Sequence, residues 1–230
     1  MSSKFSIDIN CDVGEGIGNE SQLMPYISSC NIACNEHAGS LETIDEVISL
    51  AKKYNVKIGA HPSFPDRENF GRKVMNISSE ALQESIENQI NLLIERTALQ
   101  NVELHHIKPH GALYNLIAKD KNIAQIVVNA IKNTVKNTYL YIPYNSVIAD
   151  VAIENNIKIK FETFADRNYN DDLSLVSRIE ENALITDKKE VFNHVKSMII
   201  NNKVKTTSGE KEIIADTICV HGDTKMQLNW

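Results

Sequence analysis

Short apolar runs alternate with amphipathic stretches along the whole chain. Seven of the runs predict strands: Phe5–Asn10, Cys30–Cys34, Lys57–His61, Val102–Lys108, Tyr139–Pro143, Lys158–Ala165 and Asp216–His221. In the third amphipathic stretch Leu82, Ile86, Ile90 and Leu93 recur at helical spacing. In the sixth, Val191, Val195, Met198 and Ile199 do the same after an Asp187-to-Glu190 spacing that reads as a capping box. Ser40 and Ser78 are N-cap candidates. No linker divides the chain, so the expectation is one α/β domain over residues 1–230. Strand–helix units of about 30 residues fit a closed or nearly closed parallel barrel, and an open doubly wound sheet has the same alternation.

Side-chain parity separates the two architectures. Ile7 and Ile9 share one face of the first strand, and Asp8, Asn10 and Asp12 share the other. His106, Lys108 and His110 have one parity, and in the last run Thr217, Cys219 and His221 oppose Ile218 and Val220. A sheet covered by helices on both sides is apolar on both faces. Polar groups on one face, near the carboxyl ends, predict a barrel with a polar upper layer.

Composition narrows the class. With 42% hydrophobic and 23% charged residues the chain resembles an ordinary globular protein. A net charge of −6, with no basic run beyond Lys52-Lys53 and Lys188-Lys189, argues against nucleic acid as partner. No stretch approaches the roughly 20 apolar residues of a membrane span, and no signal-peptide core opens the chain. Cys11, Cys30, Cys34 and Cys219 show no CxxC spacing, so buried free thiols in a reducing cytoplasm are expected over disulfides or a zinc knuckle.

Candidate chemistry collects where the strands end. His106-Ile-Lys-Pro-His-Gly111 packs two histidines and a lysine against a Pro-Gly stop. Asn10-Cys-Asp-Val-Gly-Glu-Gly16 follows the first strand, where Asp12 and Glu15 could bind a metal, act as bases or cap turns. His37 precedes a predicted helix N-terminus; His61 opens a loop stiffened by Pro62 and Pro65; Arg72 follows Phe70-Gly71. Asp166-Arg167 and His221-Gly-Asp223 end the last two runs. Each motif alone is weak, but titratable groups at six strand ends point to one shared pocket. Carboxylates with histidines and a lysine suit acid–base catalysis or a divalent-metal site, with Asp12, His61 and His221 as metal candidates. Neither a GxSxG elbow nor a GxxxxGK[ST] phosphate loop occurs. Hydrolysis by activated water is therefore favoured over an acyl-enzyme.

The motifs together resemble the LamB/YcsF family. The matching stretches are Asp8–Gly16, Asn31–Cys34 with His37–Gly39, Gly59–Pro62, Phe64–Asp66, Phe70–Arg72, Lys108–Asn115, Phe164–Arg167 and Ala215–Asp223, in order over nearly the whole chain. The resemblance implies a seven-stranded, TIM-like (β/α) barrel of the glycoside hydrolase/deacetylase superfamily. It also implies opening of 5-oxoproline (pyroglutamate) to glutamate, coupled to ATP hydrolysis, together with two further subunits, B and C. On this basis Asp12, His61, Lys108, His110, Asp166 and His221 are expected to be catalytic. Asn10, Glu15, His37, Arg72, Arg167 and Asp223 are expected to bind substrate, with Lys108 or Arg72 on its carboxylate.

The chain departs from the family pattern at three places. Asn35-Glu36 stands where Gly-Phe is usual, adding a charge near the expected site. Ser40 stands where Asp is common and Ser63 where Gly is common. The chain stops at Trp230, short of a final family helix, which would leave a barrel face for a partner or second copy. Two rival functions remain: a stand-alone, metal-dependent deacetylase or amidohydrolase, and a non-catalytic substrate-binding subunit.

Overall fold

In the computed structural model, which describes residues 6–221, seven parallel strands close into a barrel. In chain order the elements are β1 (Asp8–Val13), α1 (Glu20–Leu23), β2 (Ser29–Ala33), α2 (Leu41–Tyr54), β3 (Lys57–His61) and α3 (Ser79–Leu99). Then come β4 (Leu104–Ile107), α4 (Gly111–Ile117), α5 (Lys121–Thr134), β5 (Tyr139–Pro143), α6 (Val147–Glu154) and β6 (Lys158–Phe164). The chain continues through α7 (Lys188–Lys196), the hairpin β7 (Lys203–Lys205) and β8 (Glu210–Glu212), and β9 (Thr217–Val220). The barrel order is β1-β2-β3-β4-β5-β6-β9, with β9 pairing back onto β1, so the open-sheet alternative is excluded.

All seven expected strands form, and the boundaries differ in an instructive way. β3 and β5 match residue for residue. β1 runs later than its apolar run implied, carrying Asp12 inside the ladder opposite Asn31. Polar residues face the barrel interior here, so hydrophobicity marks the strand end too early. The antiparallel hairpin β7–β8 has no apolar signal, since all its residues but Val204 are exposed charges (Lys203, Lys205, Glu210, Lys211, Glu212). The expected caps are present: Ser40 accepts from the Thr43 amide and Ser78 from the Ala81 amide, each at 3.2 Å. Asp187 accepts from the Lys189 and Glu190 amides, each at 3.0 Å.

The main apolar core is the shell between barrel and helices. Cys11, Cys30, Ile32, Ile58 and Ile107 point outward from the strands against Ile44, Ile48, Ile86, Ile90 and Val127. All four cysteines are buried and free. Inside the barrel the wall is polar at every level, beyond the polar upper layer that parity predicted. At the lower end Asp8 Oδ2 accepts from Ser29 Oγ at 2.6 Å and Thr217 Oγ1 at 2.8 Å. One step up, Asn10 Nδ2 donates to Thr217 Oγ1 at 2.8 Å. Such groups cost several kcal/mol each if buried unpaired, so the interior holds together only as a connected network.

Between β3 and β4 the register slips, Ile58 pairing with Leu104 and Gly59 with His106. The extra residue, His105, forms a bulge that turns His106 toward the interior.

Candidate active site

The upper mouth is built from the ends of β1, β3, β4, β6 and β9. The turn after β4 is pinned at three points: Lys108 N to Ala60 O at 2.9 Å, His110 N to Pro62 O at 2.8 Å and Ala112 N to Gly71 O at 2.9 Å. Gly111 takes φ +54°, and a Cβ there would lie 2.6 Å from the Gly71 carbonyl oxygen, so the turn requires glycine. A cavity of about 380 Å³ opens above it. Of the expected residues, Asp12, Glu15, His61, Lys108, His110 and His221 line it, with Arg72 and Arg167.

Three histidines share one proton logic. His61 donates Nδ1–H to the Lys108 carbonyl at 2.6 Å, and His110 donates Nε2–H to the Phe70 carbonyl at 3.0 Å. Ser63 gives its hydroxyl proton to the Phe64 carbonyl and therefore accepts Nδ1–H from His37 at 2.9 Å. The remaining nitrogens all turn inward. Glu15 Oε1 lies 3.2 Å from His37 Nε2, 3.3 Å from His110 Nδ1 and 3.8 Å from His61 Nε2. His37 stacks flat on His110 with centroids 4.0 Å apart. Burial pushes His37 down to about 3 and holds His110 well below the ordinary histidine range, so both rings are neutral at neutral pH. Burial, reinforced by Asp12, raises the Glu15 carboxyl.

These four groups place their ligand atoms within 4.8 Å of one another. Imidazoles whose outward N–H groups are already bonded, plus a carboxylate, are the donor set a divalent transition metal takes. The residues fit such an ion.

Asp12 and Lys108 form the second centre. Lys108 Nζ donates to Asp12 Oδ1 at 2.9 Å, Cys219 Sγ at 3.2 Å and Asn10 Oδ1 at 3.3 Å, while Glu162 Oε1 faces it as an ion pair at 2.9 Å. Burial raises the Asp12 carboxyl, but His61 (3.3 Å from Oδ2) and Lys108 outweigh it and hold the group well below the usual range. Burial would lower Lys108, but Asp12 and Glu162 keep it well above. Each of the three ammonium protons has a protein acceptor. Lys108 is thus an internal counter-charge, and the expectation that it clamps a substrate carboxylate does not fit this geometry. Asp12, Cys219 and His221 also form a metal-like group, but the Lys108 ammonium already bridges Asp12 and Cys219. The expected metal set of Asp12, His61 and His221 is therefore divided between two centres.

Behind the far wall Asp166 is buried and its Oδ1 lies 2.9 Å from Nδ1 of the wall residue His221, whose ring stacks on Phe164. A carboxylate on Nδ1 leaves Nε2 to the cavity, as a general base or acid requires.

The remaining expected residues fall differently. Asn10 lies one layer beneath Lys108, fully buried and off the cavity wall, because parity gives the face of a strand but not the height. His37 is behind His110 and off the cavity wall, with its Nε2 turned to Glu15. Arg167 is on the wall, but its guanidinium holds the Val176 carbonyl at 2.6 Å and the Ala183 carbonyl at 3.3 Å, anchoring the segment that carries Arg178. Arg72 is on the wall 4.8 Å over the Phe70 ring. Glu36 is exposed and off the wall, while Asn35 takes φ +66° and accepts from Arg67. Ser40 caps α2 as an Asp would, and Ser63 orients His37. Asp223 and the C-terminal helix question lie outside the described residues. Tyr114 on the cavity wall and Asn31, paired opposite Asp12, lie within the matching stretches Lys108–Asn115 and Asn31–Cys34 but are not among the expected site residues.

Comparison with known proteins agrees with this architecture. Residues 7–230 match the model of the LamB/YcsF family. The chain is 41% identical over 228 residues to the 5-oxoprolinase A subunit of Pyrococcus abyssi, covering 96% of this chain and 89% of that one. It is 43% identical over 224 residues to the 5-oxoprolinase A subunit of Shouchella clausii, covering 95% and 88%. Among solved structures, the lactam utilization protein of Thermus thermophilus superposes with a TM-score of 0.90 at 33% identity, covering 96% and 92%. None of the described helices is long and apolar enough to cross a membrane.

Proposed function

The chain belongs to the LamB/YcsF family, and from that premise we propose that it is the A subunit of a 5-oxoprolinase, opening 5-oxo-L-proline to L-glutamate. The observation that carries this reading is the meeting of Asp12, Glu15, His61, His110 and His221 around one cavity whose wall also carries Arg72 and Arg178.

The substrate is a lactam with a carboxylate. Lys108 has no donor to spare, so the guanidinium of Arg72, aided by Arg178, takes the carboxylate. His221, oriented by Asp166, takes a proton from the attacking water at Nε2, and Asp166 steadies the imidazolium that results. Ring opening breaks the C–N bond, and the leaving nitrogen receives that proton. Glu15, His37, His61 and His110 are the residues that would hold a divalent cation, which when bound would supply Lewis acidity at this end of the cavity. Asp12, ionised and oriented by Lys108, keeps the negative charge of this wall beside His61.

An amide with an amine leaving group resists water at neutral pH. Phosphorylation of the lactam oxygen by ATP would yield an imidate open to attack. This chemistry is assigned to the assembly with subunits B and C in a cytoplasmic setting, since no phosphate-loop motif occurs in this sequence.

The test is glutamate release from purified chain, with and without subunits B and C and with and without ATP. Release only from the full mixture with ATP is expected. The cluster of Glu15, His37, His61 and His110 favours a second reading, a stand-alone metal-dependent amidohydrolase. Turnover by the chain alone, abolished by a chelator and indifferent to ATP, would establish that reading instead.

A further inference from the structure

His106 and Asn31 take no part in the chemistry above, yet the barrel is shaped around their contact. The His106 ring is fully buried and stacks on Tyr141, with centroids 4.0 Å apart and planes 11° from parallel. It occupies the space opposite Gly59, where a Cβ would lie 2.2 Å from its Nε2. The bulge at His105 is what delivers it there. Its Nε2 then lies 2.6 Å from Asn31 Oδ1.

The orientation of the Asn31 amide follows from its other neighbours. Its Nδ2 lies 2.7 Å from Asp12 Oδ1 and 2.8 Å from Asn10 Oδ1. Asp12 is a carboxylate and can only accept. Asn10 has its own Nδ2 committed to Thr217 Oγ1, whose proton goes to Asp8, so it too presents an acceptor. Asn31 must therefore turn Oδ1 toward His106, and His106 must donate from Nε2. Burial holds that ring well below the ordinary histidine range, so it carries one proton. Its Nδ1 faces His105 Nδ1 at 3.1 Å as an acceptor.

We propose that His106 and Asn31 are positioning residues for Asp12: the Nε2–H of His106 locks the Asn31 amide, and the locked amide holds Asp12 toward His61 and Lys108. The inference rests on the reading of this mouth as the catalytic site. Without the donor, the amide is free to flip and set Oδ1 against the Asp12 carboxylate. Asp12 also faces Glu15 from the loop after β1 and Cys219 and His221 from the β9 side, none of which would restrain it in the same direction.

The test compares His106→Leu, which removes the donor, with His106→Gln, whose amide nitrogen can reach the Nε2 position. Steady-state kinetics use the chain assembled with its partner subunits, 5-oxoproline and ATP. The His106→Leu change should lower kcat by about ten- to a hundredfold, the worth of the Asn31 hydrogen bond to the charged Asp12 carboxylate that the flipped amide would lose, with KM nearly unchanged. The His106→Gln change should restore most of it. Nitrogen NMR of the wild-type chain should show His106 neutral with its proton on Nε2. An equal loss in both variants would reduce His106 to packing and overturn the proposal, as would a wild-type kcat in His106→Leu or a proton on Nδ1. If the wild-type complex itself releases no glutamate, the catalytic reading fails, while the NMR still decides the direction of the His106 bond.

Discussion

His61 Nε2 and His110 Nδ1 meet at 3.0 Å, although each ring has already given its other N–H to a backbone carbonyl. The neutral His110 ring turns a lone pair toward the inward nitrogen of His61, so the pair calls for a proton or a cation between them. Glu15 at 3.3 Å from the same His110 nitrogen supplies the matching negative charge.

A divalent transition metal should therefore bind the chelator-stripped chain. Calorimetry with manganese or zinc is expected to show one site, weakened about tenfold or more by Glu15→Gln or His110→Ala. Equal affinity in wild type and both variants would place the ion elsewhere.

Removal of the Lys108 ammonium leaves Asp12 and Glu162 facing each other in the barrel without a counter-charge. The Lys108→Met change should cost about 3–5 kcal/mol of stability, the usual effect of breaking a buried pair. Adding Glu162→Gln should recover part of it. Denaturant melts of the single and double variants would show this, and additive losses would count against the ion-pair account.

A methyl group at position 59 has nowhere to go, since the His106 ring fills that space. The Gly59→Ala change should destabilise by about 1–3 kcal/mol through overpacking. Combined with His106→Ala, the penalty should shrink. An unaltered melting temperature in Gly59→Ala alone would show that the ring is free to move.

The Asp166–His221 pair predicts a loss in kcat of about a hundredfold or more for His221→Ala, the usual worth of a general acid–base group. Asp166→Asn should act in the same direction while the fold survives. Lactam turnover unaffected by both changes would remove His221 from the mechanism.

The buried histidines set the acid stability of the metal-free chain. Folded His37 lies near 3 and His105 near 4, and His106 and His110 are also well below the ordinary value of 6.5. Below that value the unfolded chain binds protons that the folded chain refuses. Stability is therefore full above about pH 6.5 and falls as pH drops toward 4, each fully buried ring adding about 1.4 kcal/mol per pH unit. Asp8 and Asp12, whose folded carboxyls lie low, add their losses only further down. Denaturant melts at a series of pH values, with chelator present, should show a decline that starts above the carboxylate range. A flat profile from pH 7 to 5 would contradict the neutral assignments.

Much of the site is legible in the sequence because strand ends announce themselves. Asp12, His61, Lys108, His110 and His221 are titratable residues close to Gly or Pro at the carboxyl ends of apolar runs, and all five line one cavity. β3 and β5 are readable to the residue because their runs stop abruptly. Alternation reveals which face Asn10 takes, and the family resemblance implies that it meets substrate. How far down the barrel it sits depends on strand stagger, which alternation does not contain. The β7–β8 hairpin is silent because hydrophobic periodicity cannot report a ribbon made largely of exposed charges.

Local pattern alone determined the strand–helix alternation, the polar side of each strand and the caps at Ser40, Ser78 and Asp187, because these depend on neighbours a few residues away. The closed ring of strands, the saturation of Lys108, the inward nitrogens of His37, His61 and His110 and the fit of His106 against Gly59 were decided only by tertiary structure. The physical reason is that a side chain's donors, acceptors and free space belong to groups brought up from other strands. What an imidazole or an ammonium can do is settled by those partners, and chain order does not name them.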